Sequence, residues 1–251
     1  MAEGDTIVRA ARRIEAAIGG EKVAASAPNP RGRAAGVERL DGLVLDGVET
    51  KGKNLLLRFG EQALHSHLGM NGSWHAYAPG QRWRKPQRAA WAALRGQRGE
   101  AVQFGGSTLR VVPLAAGRRE LARLGPDILA PELDLEDASA SLAAAGGRDL
   151  GEALLDQERI AGIGNIFKSE ACFAAGLDPW RDVSGLGAAE RLAVIGEARR
   201  LMQEAVARGR PERVVYKRAG RPCPACGTPI RSRGQGDANR TTYWCPSCQS
   251  G

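Results

Sequence analysis

The sequence predicts an α+β protein with three parts: a β-rich N-terminal domain with a leading helix, a helical domain, and a small C-terminal ribbon held by cysteines. Three observations support this. Short apolar runs alternate with glycine-rich turns from residue 40 to 114, apolar residues recur at helical spacing after residue 124, and four cysteines lie near the end. Because 251 residues suffice for more than one compact unit, we expect domains at 1–120, 121–207 and 208–251.

The first element is an amphipathic helix. Between Asp5 and Ile18, isoleucine and alanine recur at steps of three and four residues, which places them on one face. Asp5 or Thr6 is expected to cap the helix start, and Gly19 with Gly20 to end the helix. The amino terminus therefore lies at the positive end of a helix dipole, where a carboxylate is favoured.

The β-rich region extends from Leu40 to Leu114 through the runs LVLDGV, NLLLRFG, EQALHSHLGM, AVQFGG and TLRVVPL. Their spacing is that of a sandwich or a barrel, and we expect a β-sandwich. A basic, proline-containing segment between Pro79 and Arg98 interrupts the pattern and is expected to form a surface loop. Its Trp83 could press on nucleic acid, although a loop aromatic among solvated charges is the commoner arrangement.

The helical region contains four runs: LEDASASLAAAG, RDLGEALLDQ, NIFKSEACFAAGL and AAERLAVIGEARRLMQEAV. Each carries apolar residues at helical steps and ends in glycine or polar residues. Gly162, Gly164 and Asn165 open the third run, so backbone N–H groups there can face an anion, although such a turn is often only a turn. Cys172 in the same run is expected to be a buried free thiol.

The last four cysteines form two knuckles, CPAC and CPSC, separated by eighteen residues. This spacing predicts a zinc site, whereas disulfides are not expected in a chain without an export signal. All four positions of a tetrahedral Zn²⁺ would be filled by protein, so the metal is structural. The predicted ligands are Cys223, Cys226, Cys245 and Cys248.

The charge distribution predicts a polyanionic partner. The formal net charge is +8 and the pI about 9.7. Nine Lys or Arg residues and two acids lie between Arg208 and Gly251, so this segment contributes +7 of the +8. Arg240 lies between the two knuckles, where an arginine can fork onto phosphate, although most such arginines are only solvated. No apolar run approaches the roughly 20 residues of a membrane span, and no signal peptide is evident, so we expect an intracellular protein without membrane contact.

Five segments in order, MAEGDT, ETKGKNLLLRF, HSHLGMNG, AGIGNIFKSEA and NRTTYWCPSCQ, resemble the formamidopyrimidine-DNA glycosylase / endonuclease VIII (Fpg/Nei) family over nearly the whole chain. The resemblance implies a helix-two-turn-helix second domain and a zinc finger. It also implies a base-excision-repair enzyme, a bifunctional DNA N-glycosylase and abasic-site lyase. Such an enzyme would bind damaged double-stranded DNA between the β-rich and helical domains, as a cytoplasmic, nucleoid-associated monomer.

The resemblance assigns catalytic roles near the amino terminus. Once Met1 is removed, which a small second residue should permit, the α-amine of Ala2 would attack C1′ of the damaged nucleotide. The resulting Schiff base would lead to β/δ-elimination. Glu3 would be the general acid or base that assists opening of the sugar. Lys53, in a hairpin turn, would reach phosphate and help proton transfer, with Lys51 as a rival.

Four further residues match DNA-binding positions of the family. His67 would touch the DNA backbone, and Met70 would fill the gap left by the extruded base. Asn165 would bind phosphate. Arg240 would grip the phosphates beside the lesion and support the second elimination.

Two departures from the family pattern leave alternatives open. Most members begin with proline, whereas the primary amine of Ala2 forms an imine that must be protonated. The alternative function is therefore that of a catalytically weak protein that binds lesions or abasic sites. The arginine-arginine-phenylalanine-glycine run of the Fpg branch is reduced to VQFGG, Val102 to Gly106. The two ends of the chain resemble actinobacterial Nei-like proteins, which implies oxidised pyrimidines as substrates. A ribosomal or transcription zinc ribbon would not explain MAEGDT or AGIGNIFKSE.

Overall fold

The structure is a computed structural model that describes residues 2–249. The chain divides into two compact units, Met1–Arg123 and Leu124–Gly251, and each has its own apolar core. The expected division at 1–120, 121–207 and 208–251 stays a prediction. Met1, whose removal is expected from the sequence, lies outside the described residues.

The first unit contains two antiparallel four-stranded sheets, as expected for a β-sandwich with a leading helix. One sheet has the strand order β1-β6-β7-β5, and the other has the order β2-β3-β4-β8. The elements are α1 (Gly4–Ile18), β1 (Ala24–Ser26), α2 (Pro30–Ala34), β2 (Gly47–Lys51), β3 (Asn54–Phe59), β4 (Gln62–His67), β5 (Ser73–Tyr77), β6 (Ala90–Arg95), β7 (Glu100–Phe104), β8 (Thr108–Pro113) and α3 (Leu114–Leu121).

Helix α1 buries its apolar face against this sandwich, as its periodicity predicts. Ile7, Ile14 and Ile18 are fully or almost fully buried in one cluster with Leu57 of β3 and Trp74 of β5. Burial of such side chains contributes roughly 1.5–3 kcal/mol each. The helix is therefore held by tertiary packing, and its first turn has a fixed position in the unit.

The predicted helix cap is wrong, although the predicted end is confirmed. Glu3 is the N-cap residue, and its side chain makes no capping hydrogen bond. Its carbonyl oxygen accepts the backbone N–H of Thr6 at 2.9 Å. Asp5 cannot serve as the cap because its carboxylate is engaged with Arg9 four residues later, at 2.7 Å. The helix ends at Gly19, as expected.

The basic segment between Pro79 and Arg98 is only partly a loop, which corrects the sequence prediction. Its second half forms β6, which lies between β1 and β7 inside a sheet. A second difference follows β8, where the chain forms α3 at Leu114, ahead of the helical region expected after residue 124.

The second unit is helical with a two-stranded ribbon. Its elements are α4 (Leu135–Ala143), α5 (Leu150–Ala153), α6 (Asn165–Ala174), α7 (Ala188–Arg208), β9 (Arg231–Gln235) and β10 (Arg240–Trp244). Helices form in all four predicted runs. Cys172 is fully buried in the core, as expected, and this burial raises the pKa of its thiol to about 12.

A buried carboxylate joins α6 to the segment that leads to the ribbon. The Glu170 oxygens accept the backbone N–H groups of Val214, Val215 and Tyr216 at 2.9, 3.1 and 2.8 Å. Burial raises the pKa of Glu170, although these three hydrogen bonds act in the opposite direction. Within residues 2–249, no helix is long and apolar enough to cross a membrane.

Candidate active site

The amino terminus of α1 meets the turn between β4 and β5. The backbone nitrogen of Ala2 donates to the carbonyl oxygen of Gly69 over 3.4 Å. Glu3, the next residue, is only 1% exposed. Glu3 is the N-cap residue of a 15-residue helix, so it lies at the positive end of the helix dipole.

The β4–β5 turn, Leu68–Gly72, has a shape that requires two of its glycines. Gly69 has φ +57°, and a Cβ there would lie 3.1 Å from the Cβ of Ser107. A Cβ on Gly72 would lie 2.4 Å from the carbonyl oxygen of Leu68, closer than real contacts allow. This compact turn presents Met70, which is 56% exposed.

His67 lies beside this turn as a neutral ring with an assignable tautomer. The backbone N–H of Gly69 can only donate, and it lies 3.2 Å from Nδ1 of His67, so Nδ1 is an acceptor. Nδ1 also lies 2.7 Å from Oγ of Ser107. Burial, and then the positive charge of Lys53, lower the pKa of His67. A neutral ring that accepts at Nδ1 carries its proton on Nε2, which can donate to an anion.

Lys53 lies in the turn of the β2–β3 hairpin, as the resemblance predicts. The turn consists of Gly52, with φ +59°, and Lys53. Asn54 pairs with His67 across the sheet, which places Lys53 next to the imidazole. The structure therefore brings five sequence-predicted residues to one end of the first unit. We call this set the N-terminal cluster, and it comprises Ala2, Glu3, Lys53, His67 and Met70.

The second unit holds Asn165 at the start of α6, directly after the cap residue Gly164. Asn165 is 5% exposed, and its Nδ2 donates to the carbonyl oxygen of Thr241 at 2.8 Å. Among residues 2–249, its Oδ1 has no hydrogen-bond partner. The amide nitrogen therefore binds β10, while the amide oxygen is buried without a partner among the described residues.

A buried lysine, which the sequence analysis missed, joins the same helix to the ribbon. Lys168 is fully buried, and its Nζ donates to Oγ1 of Thr242 at 2.6 Å. Thr242 in turn donates to Oε1 of Gln235 at 2.6 Å, and Nε2 of Gln235 donates to the carbonyl oxygen of Pro179 at 2.7 Å. The only sequence signal was a lysine within a helical run rich in apolar residues. These bonds fix β10, and with it the position of Arg240 relative to Asn165.

Arg240 is the first residue of β10 and is exposed. It pairs with Gln235 across the hairpin, whose turn includes Asn239 with φ +47°. Its neighbour Thr241 accepts the Asn165 amide. Asn165 and Arg240 therefore lie close together, while the phosphate-binding roles assigned to them stay predictions.

The four predicted zinc ligands converge. Their sulfur atoms lie within 4.8 Å of one another, with 3.9 Å between Cys223 and Cys248 and 3.5 Å between Cys226 and Cys245. A tetrahedron with Zn–S bonds of about 2.3 Å has sulfur–sulfur edges of about 3.8 Å. The cluster therefore fits one Zn²⁺ with all four positions supplied by protein.

The comparisons with known proteins agree with this architecture. Residues 1–108 match the formamidopyrimidine-DNA glycosylase N-terminal domain, residues 124–214 the formamidopyrimidine-DNA glycosylase H2TH domain, and residues 220–251 the zinc finger found in FPG and IleRS. The fold and the cysteine cluster thus define a protein of the H2TH and zinc-finger type, with Zn²⁺ as its structural cofactor.

Similar proteins identify the family. The chain is 42% identical to the probable endonuclease 8 2 of Streptomyces coelicolor, over 100% of this chain and 95% of that protein. It is 36% identical to the DNA-(apurinic or apyrimidinic site) lyase Nei2 of Mycolicibacterium smegmatis, over 100% and 99%. This chain belongs to the formamidopyrimidine-DNA glycosylase / endonuclease VIII family. The Lactococcus lactis Fpg structure with abasic-site DNA, 22% identical over 100% of both chains, has the same fold with a TM-score of 0.86.

Proposed function

We propose that this protein removes oxidised pyrimidines from double-stranded DNA and then cleaves the abasic strand. Membership of the family supports a base-excision-repair enzyme with both glycosylase and lyase activity. The names of its relatives, an endonuclease 8 and an abasic-site lyase, support the same pair of activities. The pyrimidine preference rests on the resemblance of the two ends of the chain to actinobacterial Nei-like proteins. The protein acts as a monomer on the DNA of the nucleoid.

One observation carries the catalytic proposal: the Ala2 nitrogen lies in the N-terminal cluster, beside the buried carboxylate of Glu3. After removal of Met1 this nitrogen is an α-amine, which in peptides has a pKa of about 7.7–8.0, so a useful fraction is neutral at cellular pH. The amine attacks C1′, the C1′–base bond breaks, and the base leaves with a proton. The amine loses a proton as the C1′–O4′ bond breaks, and Glu3 donates a proton to O4′, which opens the sugar and leaves the imine between Ala2 and C1′.

The remaining steps follow from the Schiff base between Ala2 and C1′. The protonated imine acts as an electron sink, so loss of a C2′ proton expels the 3′ phosphate, and a second elimination expels the 5′ phosphate. Water then releases the enzyme. The base must leave the stack before any of this, because a stacked nucleotide hides C1′. Met70 occupies the vacated space, which offsets part of an unstacking cost of a few kcal/mol.

Borohydride trapping on an oligonucleotide with one abasic site tests the nucleophile. We expect a covalent adduct that maps to Ala2 in protein whose intact mass shows that Met1 is gone. The matched control is the Ala2→Leu variant, which keeps Met1 because its second residue is large. This control should give no adduct. If correctly processed protein binds this DNA without forming an adduct, the lesion-binding alternative replaces the enzyme.

Arg240→Ala is expected to weaken DNA binding at all sequences by removing one phosphate contact. The slope of log K against log salt should fall by about 0.9, the value for one contact on duplex DNA. Arg231→Ala is the matched control, because this exposed arginine lies at the other end of the same ribbon. Salt titrations of both variants decide the role: an unchanged slope for Arg240→Ala removes Arg240 from the phosphate contacts.

A further inference from the structure

Next to the N-terminal cluster, the first unit carries a basic groove that no role assigned above uses. Two cavities of about 720 and 450 Å³ share Gln81 and Arg84 as lining residues. The larger is lined by the loop from Gly80 to Gln87. The smaller extends along β5 to Leu68 and Gly72, the two ends of the turn that presents Met70. We call the two cavities together the basic groove.

The loop that forms this groove is fixed by Trp83. Its Nε1 donates to Oε2 of Glu100 at 2.8 Å. Its ring packs against Tyr77 at 6.3 Å, Phe104 at 6.0 Å and the Arg95 guanidinium at 5.6 Å, measured to ring centroids. Trp83 is therefore the anchor of the loop and not an exposed aromatic. The backbone that carries Arg82 and Arg84 is therefore held at a defined position.

The loop also folds back along β5 toward the N-terminal cluster. The backbone N–H of Arg84 donates to the Tyr77 hydroxyl at 3.1 Å, and Nζ of Lys85 lies 3.5 Å from Oγ of Ser73. Ser73 directly follows Gly72. A strand rises about 3.3 Å per residue, so the groove extends about 13 Å from the β4–β5 turn to Tyr77.

Three cations of the loop that lines the groove are not neutralised by protein acids. Arg82, Arg84 and Lys85 are exposed, and none of them is among the salt bridges of residues 2–249. Arg9, in the wall of the smaller cavity, does pair with Asp5. The acid that lines the larger cavity, Glu100, already pairs with Arg95 and Trp83.

His75 lies on the wall of the smaller cavity, and its pKa reflects the positive charge around it. Burial lowers its pKa, and the positive charges of Lys85, Arg84 and Arg13 lower it further. The groove therefore concentrates cations from α1 and from the loop.

We propose that the basic groove holds the phosphodiester backbone of the bound DNA several base pairs away from the lesion. This inference rests on DNA being the substrate. At 3.4 Å per base pair, the 13 Å reach of the groove corresponds to about four base pairs. Contacts of this kind are electrostatic and independent of sequence, so they add affinity and register but no base preference.

The test uses Arg84→Gln/Lys85→Gln and a control with the same charge change, Arg119→Gln/Arg123→Gln. Both control arginines are exposed. Neither arginine lines the two cavities of the basic groove, so the control removes the same charge outside the groove. Thermal unfolding of each variant establishes that it is folded before binding is measured.

Binding is measured on duplexes of about 20 base pairs with a stable abasic-site analogue placed centrally or about three base pairs from either end. In the groove variant, we expect the slope of log K against log salt to fall by about 2 on the central duplex and on one off-centre duplex. The slope should not change on the other off-centre duplex, because its DNA ends before it reaches the groove. The control should not reproduce this asymmetry. An equal decrease of the slope on all three duplexes overturns the proposal. An unchanged slope on all three duplexes also overturns it, and is the result expected if an acidic protein segment occupies the groove.

Nicking by the unmodified protein is measured in parallel on a duplex of the same length and sequence with a natural abasic site in place of the central analogue, which keeps this test separate from that of the proposed function. If the slope differs between the two off-centre duplexes but no strand is nicked, the proposed lyase activity is rejected and the proposed role of the groove stands. If strands are nicked but the slope does not differ, the role of the groove is rejected and the lyase activity stands.

Discussion

Glu3→Gln is expected to lower the rate of base release by about 10²- to 10⁴-fold, the usual contribution of a positioned acid or base. The substitution preserves shape at a position that is 1% exposed. It also preserves the helix start, because the cap is formed by the Glu3 carbonyl oxygen and not by its side chain. DNA affinity should therefore change little. Single-turnover release from duplex DNA with one oxidised pyrimidine measures the effect.

The control for this prediction is Glu38→Gln, an exposed carboxylate in the 3₁₀ turn Val37–Leu40 of the same unit. It should release base at the unmodified rate. Cleavage of preformed abasic DNA, followed separately, shows whether Glu3 also serves the elimination steps. Base release by Glu3→Gln at the unmodified rate would remove Glu3 from the mechanism.

Cys245→Ser is expected to abolish measurable DNA binding by releasing zinc and unfolding the ribbon. Cys245 is fully buried, and structural zinc contributes an apparent binding free energy of about 10–16 kcal/mol in zinc-finger peptides. Hydrogen bonds of about 1 kcal/mol each cannot replace it. Loss of the ribbon removes the partners of Asn165 and Lys168, because Thr241 and Thr242 belong to β10.

Cys172→Ala is the matched control, because Cys172 is also buried but lies in the helical core and outside the cysteine cluster. Metal analysis should find one zinc per chain in the control and none in Cys245→Ser. Limited proteolysis should cut the ribbon of Cys245→Ser and spare the first unit. Full DNA affinity in a zinc-free Cys245→Ser protein would contradict the prediction.

The features predicted from sequence are those encoded by local patterns. The cysteine spacing predicts the cluster and the isoleucine periodicity predicts α1, whereas the hairpin turn at Lys53 is implied only by the resemblance to the family. Each depends on residues a few positions apart. Such patterns carry most of their structural information without tertiary context.

The features missed depend on tertiary packing. Strand β6 contains Ala90, Ala92 and Ala93, all fully buried. Alanine is depleted in strands, so the local sequence gives no strand signal, and pairing with β1 and β7 decides the conformation instead. The hydrogen bond between Lys168 and Thr242 joins residues 74 positions apart. No periodicity relates two such residues.

The turn that carries Met70 has one further consequence, which concerns entropy. The backbone at Gly69 and Gly72 is confined by neighbouring atoms, and Ser107 and His67 are already hydrogen-bonded to each other in the protein alone. Fixing a mobile loop would cost roughly 1–2 kcal/mol per residue when DNA arrives. Here that ordering takes place when the protein folds, so Met70 is preorganised, and more of the binding free energy remains to separate the stacked bases.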